Sequence, residues 1–272
     1  MSVTTQTTRK TTLDIIKAKG KQKLVCLTAY STPMAEILDP HCDLLLVGDS
    51  VGMVLHGMKD TTTVTLDMMV LHGQAVMRGS EKALVVVDLP FGSYEQSPEI
   101  AYQAALRLIR EVGCQAVKLE VTRHAAKTIA FLVERGIPVA AHIGLLPQSV
   151  NVSGGFRIAG KTPEDRQKLI DDAIAVADAG AFCVVIEGIV NDLAKEITDA
   201  VAIPTIGIGA SVECDGQILV TDDMLGQLAW SAKFVRRYAE LRETSAKAVA
   251  RYAADVRSGS FPDKSEVYYS KK

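Results

Sequence analysis

The stretch Leu44-Leu45-Leu46-Val47-Gly48-Asp49-Ser50 is an apolar run that ends in a carboxylate and a hydroxyl. A short apolar run bounded by a turn residue is typical of a buried strand. Three further stretches repeat the pattern of an apolar run that ends in an acid, namely Ala83–Asp88, Ala116–Glu120 and Cys183–Glu187. This repetition predicts a parallel sheet with polar groups gathered at one end of its strands.

Eight apolar segments of this kind alternate with helix-forming segments along the chain. The alternation predicts a parallel sheet, and eight units in 272 residues favour an α/β fold of the closed (β/α)8 TIM-barrel type. No glycine fingerprint for a dinucleotide follows the first strand, which disfavours the open Rossmann alternative. The predicted strands cover residues 24–30, 43–48, 83–87, 116–120, 138–143, 183–187, 204–209 and 216–220.

Residues 13–272 are predicted to form a single barrel domain. Its last predicted element is a polar, arginine-rich helical segment at about residues 233–256. Residues 1–12 are rich in threonine and lack an apolar core, so they predict a flexible tail and neither a signal peptide nor an anchor. No apolar run reaches the length needed to span a bilayer. Residues 51–65 carry two glycines and four threonines, which predicts a loop.

The overall composition limits the function classes. Hydrophobic residues make up 48% and charged residues 23% of the chain, which is ordinary for a globular protein with a large core. The net charge of −2 comes without a basic stripe, which argues against nucleic-acid binding. The five cysteines are odd in number and lack zinc or redox spacing, which favours a reducing, cytoplasmic setting.

In a barrel of this kind, catalytic groups come from the carboxyl ends of the strands and the loops that follow. Four carboxylates around one opening with one lysine would repel one another, and a hard divalent cation such as Mg²⁺ relieves that repulsion. We expect Asp49 and Asp88 to bind such an ion directly and Glu120 to act through a water. The polar side chains predicted at the strand ends are Asp49, Ser50, Asp88, Lys118, Glu120, His142 and Glu187.

Each of these residues also has an ordinary structural interpretation. Asp49 or Asp88 can simply cap a helix. His142 can be a core histidine with one hydrogen bond, and Lys118 can extend its apolar stem past its neighbours. Strand alternation, however, places Lys118 on the same face as Glu120, and the recurrence over several strand ends favours a shared functional site.

Several short blocks carry a more specific signal. They are Leu27–Tyr30, Val47–Met53, Asp88–Phe91, Val117–Glu120, His142–Ser149, Gly207–Ala210 and Asp215–Leu219. In these blocks and in their order, from Leu13 to Val220, the sequence resembles the ketopantoate hydroxymethyltransferase family. That family has a (β/α)8 barrel related to the phosphoenolpyruvate/pyruvate barrel enzymes, so the resemblance implies the same fold.

The resemblance also implies a reaction and the residues that carry it. The reaction transfers a hydroxymethyl group from 5,10-methylenetetrahydrofolate to 3-methyl-2-oxobutanoate, giving ketopantoate for pantothenate synthesis. Glu187 matches the general base. The family's magnesium site is matched by Asp49, Asp88 and Glu120. Its substrate-binding positions are matched by Asp49, Ser50, Asp88 and Lys118, with His142 in the same site. Family members are commonly decamers, which implies a homo-oligomer.

Two alternatives remain open from the residues. A Mg²⁺-dependent C–C lyase of the isocitrate-lyase or PEP-mutase kind needs the same chelate and base, but such lyases usually carry a catalytic cysteine in a loop. Here Cys114 and Cys183 fall at a helix end and in a strand. The second alternative is a non-catalytic barrel that binds a metal or an anion. The segment Ser211–Cys214 departs from the family's usual loop, and residues 144–161 are a candidate lid.

Overall fold

The computed structural model of the protein describes residues 9–121, 125–155 and 157–270. Eight parallel strands close into a barrel in their order along the chain, so that the first strand pairs with both the second and the eighth. The predicted barrel is therefore confirmed. The strands are β1 Leu24–Thr28, β2 Leu44–Val47, β3 Leu84–Asp88, β4 Ala116–Glu120, β5 Val139–Gly144, β6 Cys183–Glu187, β7 Thr205–Ile208 and β8 Gly216–Leu219.

The helices that connect consecutive strands pack against the outside of the barrel. A wider π-helical turn, Leu108–Val112, continues the helix Pro98–Arg107, and a 3₁₀ turn, Pro147–Ser149, precedes the short helix Val150–Ser153. The helices are α1 Thr12–Ala18, α2 Thr32–Leu38, α3 Val51–Val54, α4 Leu66–Gly79, α5 Pro98–Arg107, α6 Ala126–Glu134, α7 Val150–Ser153, α8 Pro163–Asp178, α9 Asn191–Ala200, α10 Thr221–Met224 and α11 Leu241–Ser258.

The prediction of a continuous loop over residues 51–65 was wrong, because one helical turn, α3, follows β2 directly. Gly52 lies within that turn and is buried. A Cβ on Gly52 would lie 2.5 Å from a methyl carbon of Val64. Glycine is therefore required at this position because the helical turn packs closely against Val64, whereas the glycines and threonines of residues 51–65 had indicated a loop.

Alternation along the strands separates two apolar clusters. One cluster fills the space between the sheet and the outer helices. The second fills the inside of the barrel and includes Leu46, Val86, Ala116, Ala140 and Val185. Because side chains two positions apart share a face, Asp88, Lys118, Glu120, His142 and Glu187 continue the inner rows at the carboxyl end of the strands. The aliphatic interior thus ends in a polar layer.

The carboxylate of Asp39, which follows α2, holds the turn that leads into β3. Its Oδ1 accepts hydrogen bonds from Ser80 Oγ at 2.6 Å and Ala83 N at 2.9 Å, and its Oδ2 accepts from Lys82 N at 2.9 Å. Burial alone would raise the pKa of Asp39, but these donors outweigh it and hold the pKa below its ordinary value. The fold therefore favours the ionised form of this carboxylate.

We predict that Asp39→Ala lowers the free energy of unfolding at pH 7 by about 2–4 kcal/mol, because buried donors lose their acceptor. A lowered pKa stabilises the fold above the unfolded value of about 3.9, and this stabilisation disappears as the pH falls through the folded value. Urea denaturation at pH 7 and pH 3 measures the effect, which should shrink at the lower pH. Asp199→Ala, which removes an exposed partner of Lys195, is the control and should cost under about 1 kcal/mol. Equal stability of wild type and Asp39→Ala at pH 7 would refute the assignment.

The chain divides into two compact units, of which the second begins at Asp222. In the second unit, α11 ends at Gly259 in a left-handed conformation, with φ of 72°, and none of its residues is buried.

Residues 1–8 of the predicted flexible tail lie outside the described residues. Arg9 donates hydrogen bonds to Ser80 Oγ and Ala83 O. The single domain over residues 13–272 stays a prediction. Across the described ranges, no helix combines the length and apolarity needed to cross a membrane.

Candidate active site

The predicted site residues meet at the carboxyl end of the barrel because the strand register aligns them. Asp88 is paired with Lys118 across β3 and β4, and Glu120 with His142 across β4 and β5. Glu187 stands opposite Gly144 across β5 and β6. Burial is nearly complete for most of these side chains. The exposed fractions are 5% for Asp49, 2% for Asp88, 6% for Lys118, 8% for Glu120 and 3% for His142.

Asp49 and Asp88 form a buried pair of acids. The backbone N–H of Asp49 donates to Asp88 Oδ2 at 3.0 Å. Burial and the charge of Asp88 raise the pKa of Asp49 to about 7. Asp88 Oδ1 is buried without a hydrogen-bond partner. A pair of this kind is stabilised by a cation placed between its free oxygens.

Neither acid serves as a helix cap. The helix after β2 has Ser50 in the N-cap position, and no side-chain hydrogen bond caps it. The helix after β3 is capped by Ser97, whose hydroxyl accepts from the backbone of Ile100. The capping interpretation of Asp49 and Asp88 is therefore wrong, and their carboxylates are directed into the barrel opening.

Lys118 places its ammonium group among these acids. Its Nζ lies 3.2 Å from Asp88 Oδ1 and 3.4 Å from His142 Nδ1. Burial opposes the cation, but Asp88, Glu120 and Asp49 outweigh it and raise the pKa of Lys118. The interpretation in which the stem reaches past its neighbours to solvent is excluded by the buried position of this side chain.

His142 lies between the ammonium group and Glu187. Burial and the charge of Lys118 lower the pKa of His142, so the ring is neutral at pH 7. Because the ammonium group faces Nδ1, the chemistry places the ring proton on Nε2, which lies 3.2 Å from Glu187 Oε2. The two atoms are within hydrogen-bonding distance, but the angle between them is too poor for a hydrogen bond. Both ring nitrogens face charged groups, which is not the environment of an ordinary core histidine.

Glu187 is the most accessible carboxylate of the site, with 18% of its side chain exposed. The loop after β5 rests on its backbone, because Leu145 N donates to Glu187 O at 2.8 Å. Gly144 has φ of 98°, and a Cβ there would lie 2.3 Å from Glu187 O. Only glycine allows the chain at the end of β5 to come this close to the Glu187 carbonyl. Gly144 therefore helps to fix the position of Glu187.

Glu120 is occupied by protein donors. Its Oε2 accepts from the backbone N–H of Gln148 at 3.0 Å, and its Oε1 lies 3.8 Å from His142 Nδ1. Burial raises the pKa of Glu120 well above its ordinary value. These contacts are compatible with an indirect role beside a metal, through a water, as the sequence predicted.

Ser50 and Gly48 line the opening beside the two acids. The hydroxyls of Tyr30 and Ser50 share a hydrogen bond of 2.8 Å. A Cβ added to Gly48 would lie 2.8 Å from Ser50 Oγ and 3.6 Å from Asp88 Oδ2. The absence of a side chain at Gly48 therefore leaves room for small oxygen ligands next to Asp88.

The arrangement fits a magnesium ion better than a metal that requires a full set of protein ligands. Within residues 9–121, 125–155 and 157–270, no group of three or more His, Cys, Asp or Glu side chains forms a ready metal site. Mg²⁺ typically takes one or two carboxylates and completes its shell with water and substrate oxygens. Asp88 Oδ1, whose charged neighbour at 3.2 Å is Lys118 Nζ, the raised pKa of Asp49 and the space at Gly48 match that requirement.

Two side chains of the site were not assigned a role from the sequence. Gln148 lies in the block His142–Ser149, but a glutamine in a loop carries no chemical signal of its own. Tyr94 lies in the segment between β3 and α5, where nothing in the local pattern distinguishes it. Both are buried and contact site residues.

The sequence as a whole matches one family. A sequence profile described as "Ketopantoate hydroxymethyltransferase" matches residues 9–264. The 3-methyl-2-oxobutanoate hydroxymethyltransferase of Hyphomonas neptunium is 61% identical over 272 residues, covering 100% of this chain and 99% of the relative. That of Agrobacterium fabrum is 55% identical over 273 residues, covering 100% and 98%.

Solved structures of low sequence identity share the fold. A 2,3-dimethylmalate lyase, a member of the PEP mutase/isocitrate lyase superfamily, superimposes with a TM-score of 0.60 at 18% identity, over 95% of this chain and 92% of that one. A phosphonopyruvate hydrolase solved with oxalate and Mg²⁺ gives a TM-score of 0.60 at 11% identity, over 94% and 93%. These similarities support the barrel class predicted from the sequence.

Proposed function

The chain belongs to the ketopantoate hydroxymethyltransferase family and is a transferase, and from this premise we propose how its residues carry out the reaction. The substrate is 3-methyl-2-oxobutanoate, and the product is ketopantoate (2-dehydropantoate), a precursor in pantothenate synthesis. The observation that supports the proposal most directly is the buried Asp49–Asp88 pair beside the Lys118 ammonium group, with Glu187 nearby but in contact with neither acid by a hydrogen bond.

Oxo-acid binding is proposed for the acidic pair and its neighbours. Asp49 and Asp88 would hold Mg²⁺, with Glu120 acting through a water, and the bound ion would supply Lewis-acid polarisation of the keto group. The ammonium group of Lys118 balances the negative charge of the oxo-acid carboxylate. Ser50, whose hydroxyl is oriented by Tyr30, donates a hydrogen bond to the same carboxylate.

Proton removal is proposed for Glu187. The C3–H bond lies next to the keto group and is acidified by it, so a nearby carboxylate can accept the proton. The neutral ring of His142, with Nε2 3.2 Å from Glu187 Oε2, orients that carboxylate. The pair of electrons left on C3 then forms the new carbon–carbon bond.

The one-carbon unit is proposed to come from 5,10-methylenetetrahydrofolate, as the family's reaction implies. The methylene carbon is bonded to both N5 and N10 of the folate. Water supplies an oxygen to this carbon and its two protons to the two nitrogens as both carbon–nitrogen bonds break, which releases tetrahydrofolate and a one-carbon unit at the formaldehyde level. C3 attacks that carbon, and its oxygen takes up one proton to become the hydroxyl group of ketopantoate. The loop that follows β5 rests on Glu187 O through Leu145 N. It is the candidate lid that excludes bulk water from the reacting carbon.

The C–C lyase alternative receives no support from the side chains. All five cysteines are free and buried, and burial raises the pKa of Cys114 to about 12. A buried, protonated thiol is a poor catalyst. The similarity to the solved lyases is confined to the fold.

Assembly and location are part of the same proposal. Large apolar side chains of the second unit are exposed, including Trp230 at 77%, Tyr238 at 67% and Val249 at 64%. Exposed apolar surface of this kind marks protein–protein contacts, which supports a homo-oligomer, and the family suggests a decamer. The free cysteines are consistent with a reducing cytoplasm.

The proposal is tested by measuring consumption of 3-methyl-2-oxobutanoate with and without methylenetetrahydrofolate. We expect folate-dependent turnover that falls at least about 100-fold after EDTA treatment, because the Lewis acid contributes several kcal/mol. Added Mg²⁺ should restore it. Turnover that is unaffected by EDTA would remove the metal from the proposal, and the absence of folate-dependent turnover would remove the reaction.

A further inference from the structure

Gln148 connects parts of the active site that belong to different strands. It lies in the 3₁₀ turn Pro147–Ser149 after β5, and only 4% of its surface is exposed. Its backbone N–H donates to Oε2 of Glu120, the last residue of β4, at 3.0 Å. Its side-chain Nε2 donates to Asp49 Oδ2 at 2.7 Å and to Leu89 O at 3.0 Å. One residue therefore holds groups at the carboxyl ends of β2, β3 and β4.

The orientation of the Gln148 amide is determined by its neighbours. The carboxylate of Asp49 and the carbonyl of Leu89 are both acceptors, so they must face the NH₂ group. Tyr94 OH lies 2.6 Å from Oε1 and donates to it, and it also lies 3.1 Å from Glu120 O. A flipped amide would set its oxygen against two acceptors. The tyrosine therefore holds the amide in the one orientation that donates to Asp49.

The contact acts on one particular oxygen of Asp49. The short distance of 2.7 Å marks a strong hydrogen bond, which is charge-assisted in the ionised form of Asp49, the form that binds a cation. It fixes the carboxylate so that Oδ2 is directed at Gln148, in a site where the backbone N–H of Asp49 is already bound to Asp88 Oδ2. The geometry of the acidic pair therefore depends on a neutral side chain outside it.

We propose that Gln148, held in place by Tyr94, is a positioning residue that orients Asp49 for divalent-cation binding. The inference rests on the proposed function, which assigns Asp49 to the metal. Groups that orient a metal ligand typically contribute 10- to 100-fold in metal affinity or activity. Gln148 itself contacts neither substrate nor metal in this assignment, and it acts through the carboxylate.

The test uses Gln148→Met, which keeps the length and volume of the side chain but removes both donors. Binding of Mn²⁺ to the otherwise intact protein is followed by electron spin resonance without substrates. We expect the dissociation constant to rise about 10- to 100-fold, while circular dichroism stays unchanged. Tyr94→Phe should raise it by a smaller factor, about three- to tenfold, because only the orienting bond is lost. Gln74→Met, at a partly exposed glutamine that donates to Glu111 O, is the matched control and should bind Mn²⁺ like the wild type.

The outcomes separate this inference from the proposed function. If Gln148→Met and Tyr94→Phe both bind Mn²⁺ within twofold of the wild type while Asp49→Asn does not bind it, the positioning role is refuted and the metal site stands. If the wild type itself does not bind Mn²⁺, the metal assignment fails instead. Should Gln148→Met fail to fold, Tyr94→Phe decides alone, because removal of one hydroxyl leaves the packing of the ring in place.

Discussion

Glu187→Gln is expected to abolish exchange of the C3 proton of 3-methyl-2-oxobutanoate with deuterium from solvent. The amide has nearly the same shape as the carboxylate but cannot accept the proton at neutral pH. Loss of a general base typically lowers the rate about 10²- to 10⁴-fold. Exchange is measured by NMR in D₂O with Mg²⁺ and without folate, so the readout isolates proton removal from transfer of the one-carbon unit.

The same variant should retain binding of the oxo acid, because Glu187 is not among the groups assigned to the metal or to the substrate carboxylate. Calorimetry with the oxo acid and Mg²⁺ measures that binding. Glu196→Gln, which changes an exposed carboxylate paired with Arg166, is the matched control and should exchange normally. Normal exchange in Glu187→Gln would exclude this residue as the base. Loss of binding together with exchange would mean that Glu187 holds substrate.

The grouping of the candidate site residues could be predicted because side chains alternate between the two faces of a strand, so every second residue of a barrel strand faces the interior. Lys118 and Glu120 are two residues apart on a strand, so they had to share a face, and both are directed into the barrel interior. The apolar runs also located the strand ends where the acids lie. For Asp49, the sequence could not exclude a helix cap. In the structure Ser50 holds the N-cap position, and Asp49 contacts Asp88 and Gln148 instead.

The roles of Gln148 and Tyr94 could not be predicted because they depend on closure of the whole barrel. Gln148 and Asp49 are 99 positions apart in the chain, and neither glutamine nor tyrosine has a local pattern that indicates a distant partner. The short helix α3 was missed for a related reason. Its glycine and the threonines that follow it are typical of loops, but packing against Val64 determined the conformation there.

The second large effect is expected for Asp88→Asn, which changes one acid of the Asp49–Asp88 pair and should lose metal-dependent binding of the substrate. Asp88 Oδ2 accepts from Asp49 N, and an asparagine oxygen can still accept that bond. The other oxygen, which forms an ion pair with Lys118 Nζ at 3.2 Å, is replaced by an NH₂ group. The variant thus keeps the packing and removes both a negative charge and the oxygen that faces Lys118.

We expect Asp88→Asn to weaken Mg²⁺-dependent binding of the oxo acid by a factor on the order of 100 or more. A direct ligand should matter at least as much as the outer-shell groups, whose loss costs about 10- to 100-fold. The NH₂ group would also face the buried Lys118 ammonium, so two donors would oppose each other. Calorimetric titration of the oxo acid with Mg²⁺ and with EDTA separates the metal-dependent part of the affinity.

The control for Asp88→Asn is a second buried acid in an ion pair that lies away from the strand-end site. Asp215 precedes β8, at the amino end of the strands, and its Oδ2 lies 2.9 Å from Lys19 Nζ. Asp215→Asn should lower stability without changing the affinity for the oxo acid, because it breaks a comparable ion pair elsewhere. If Asp88→Asn and Asp215→Asn bind the oxo acid equally well, Asp88 is not a metal ligand. If both lose binding, the effect of Asp88→Asn comes from general destabilisation, and only a selective loss assigns the ion to the Asp49–Asp88 pair.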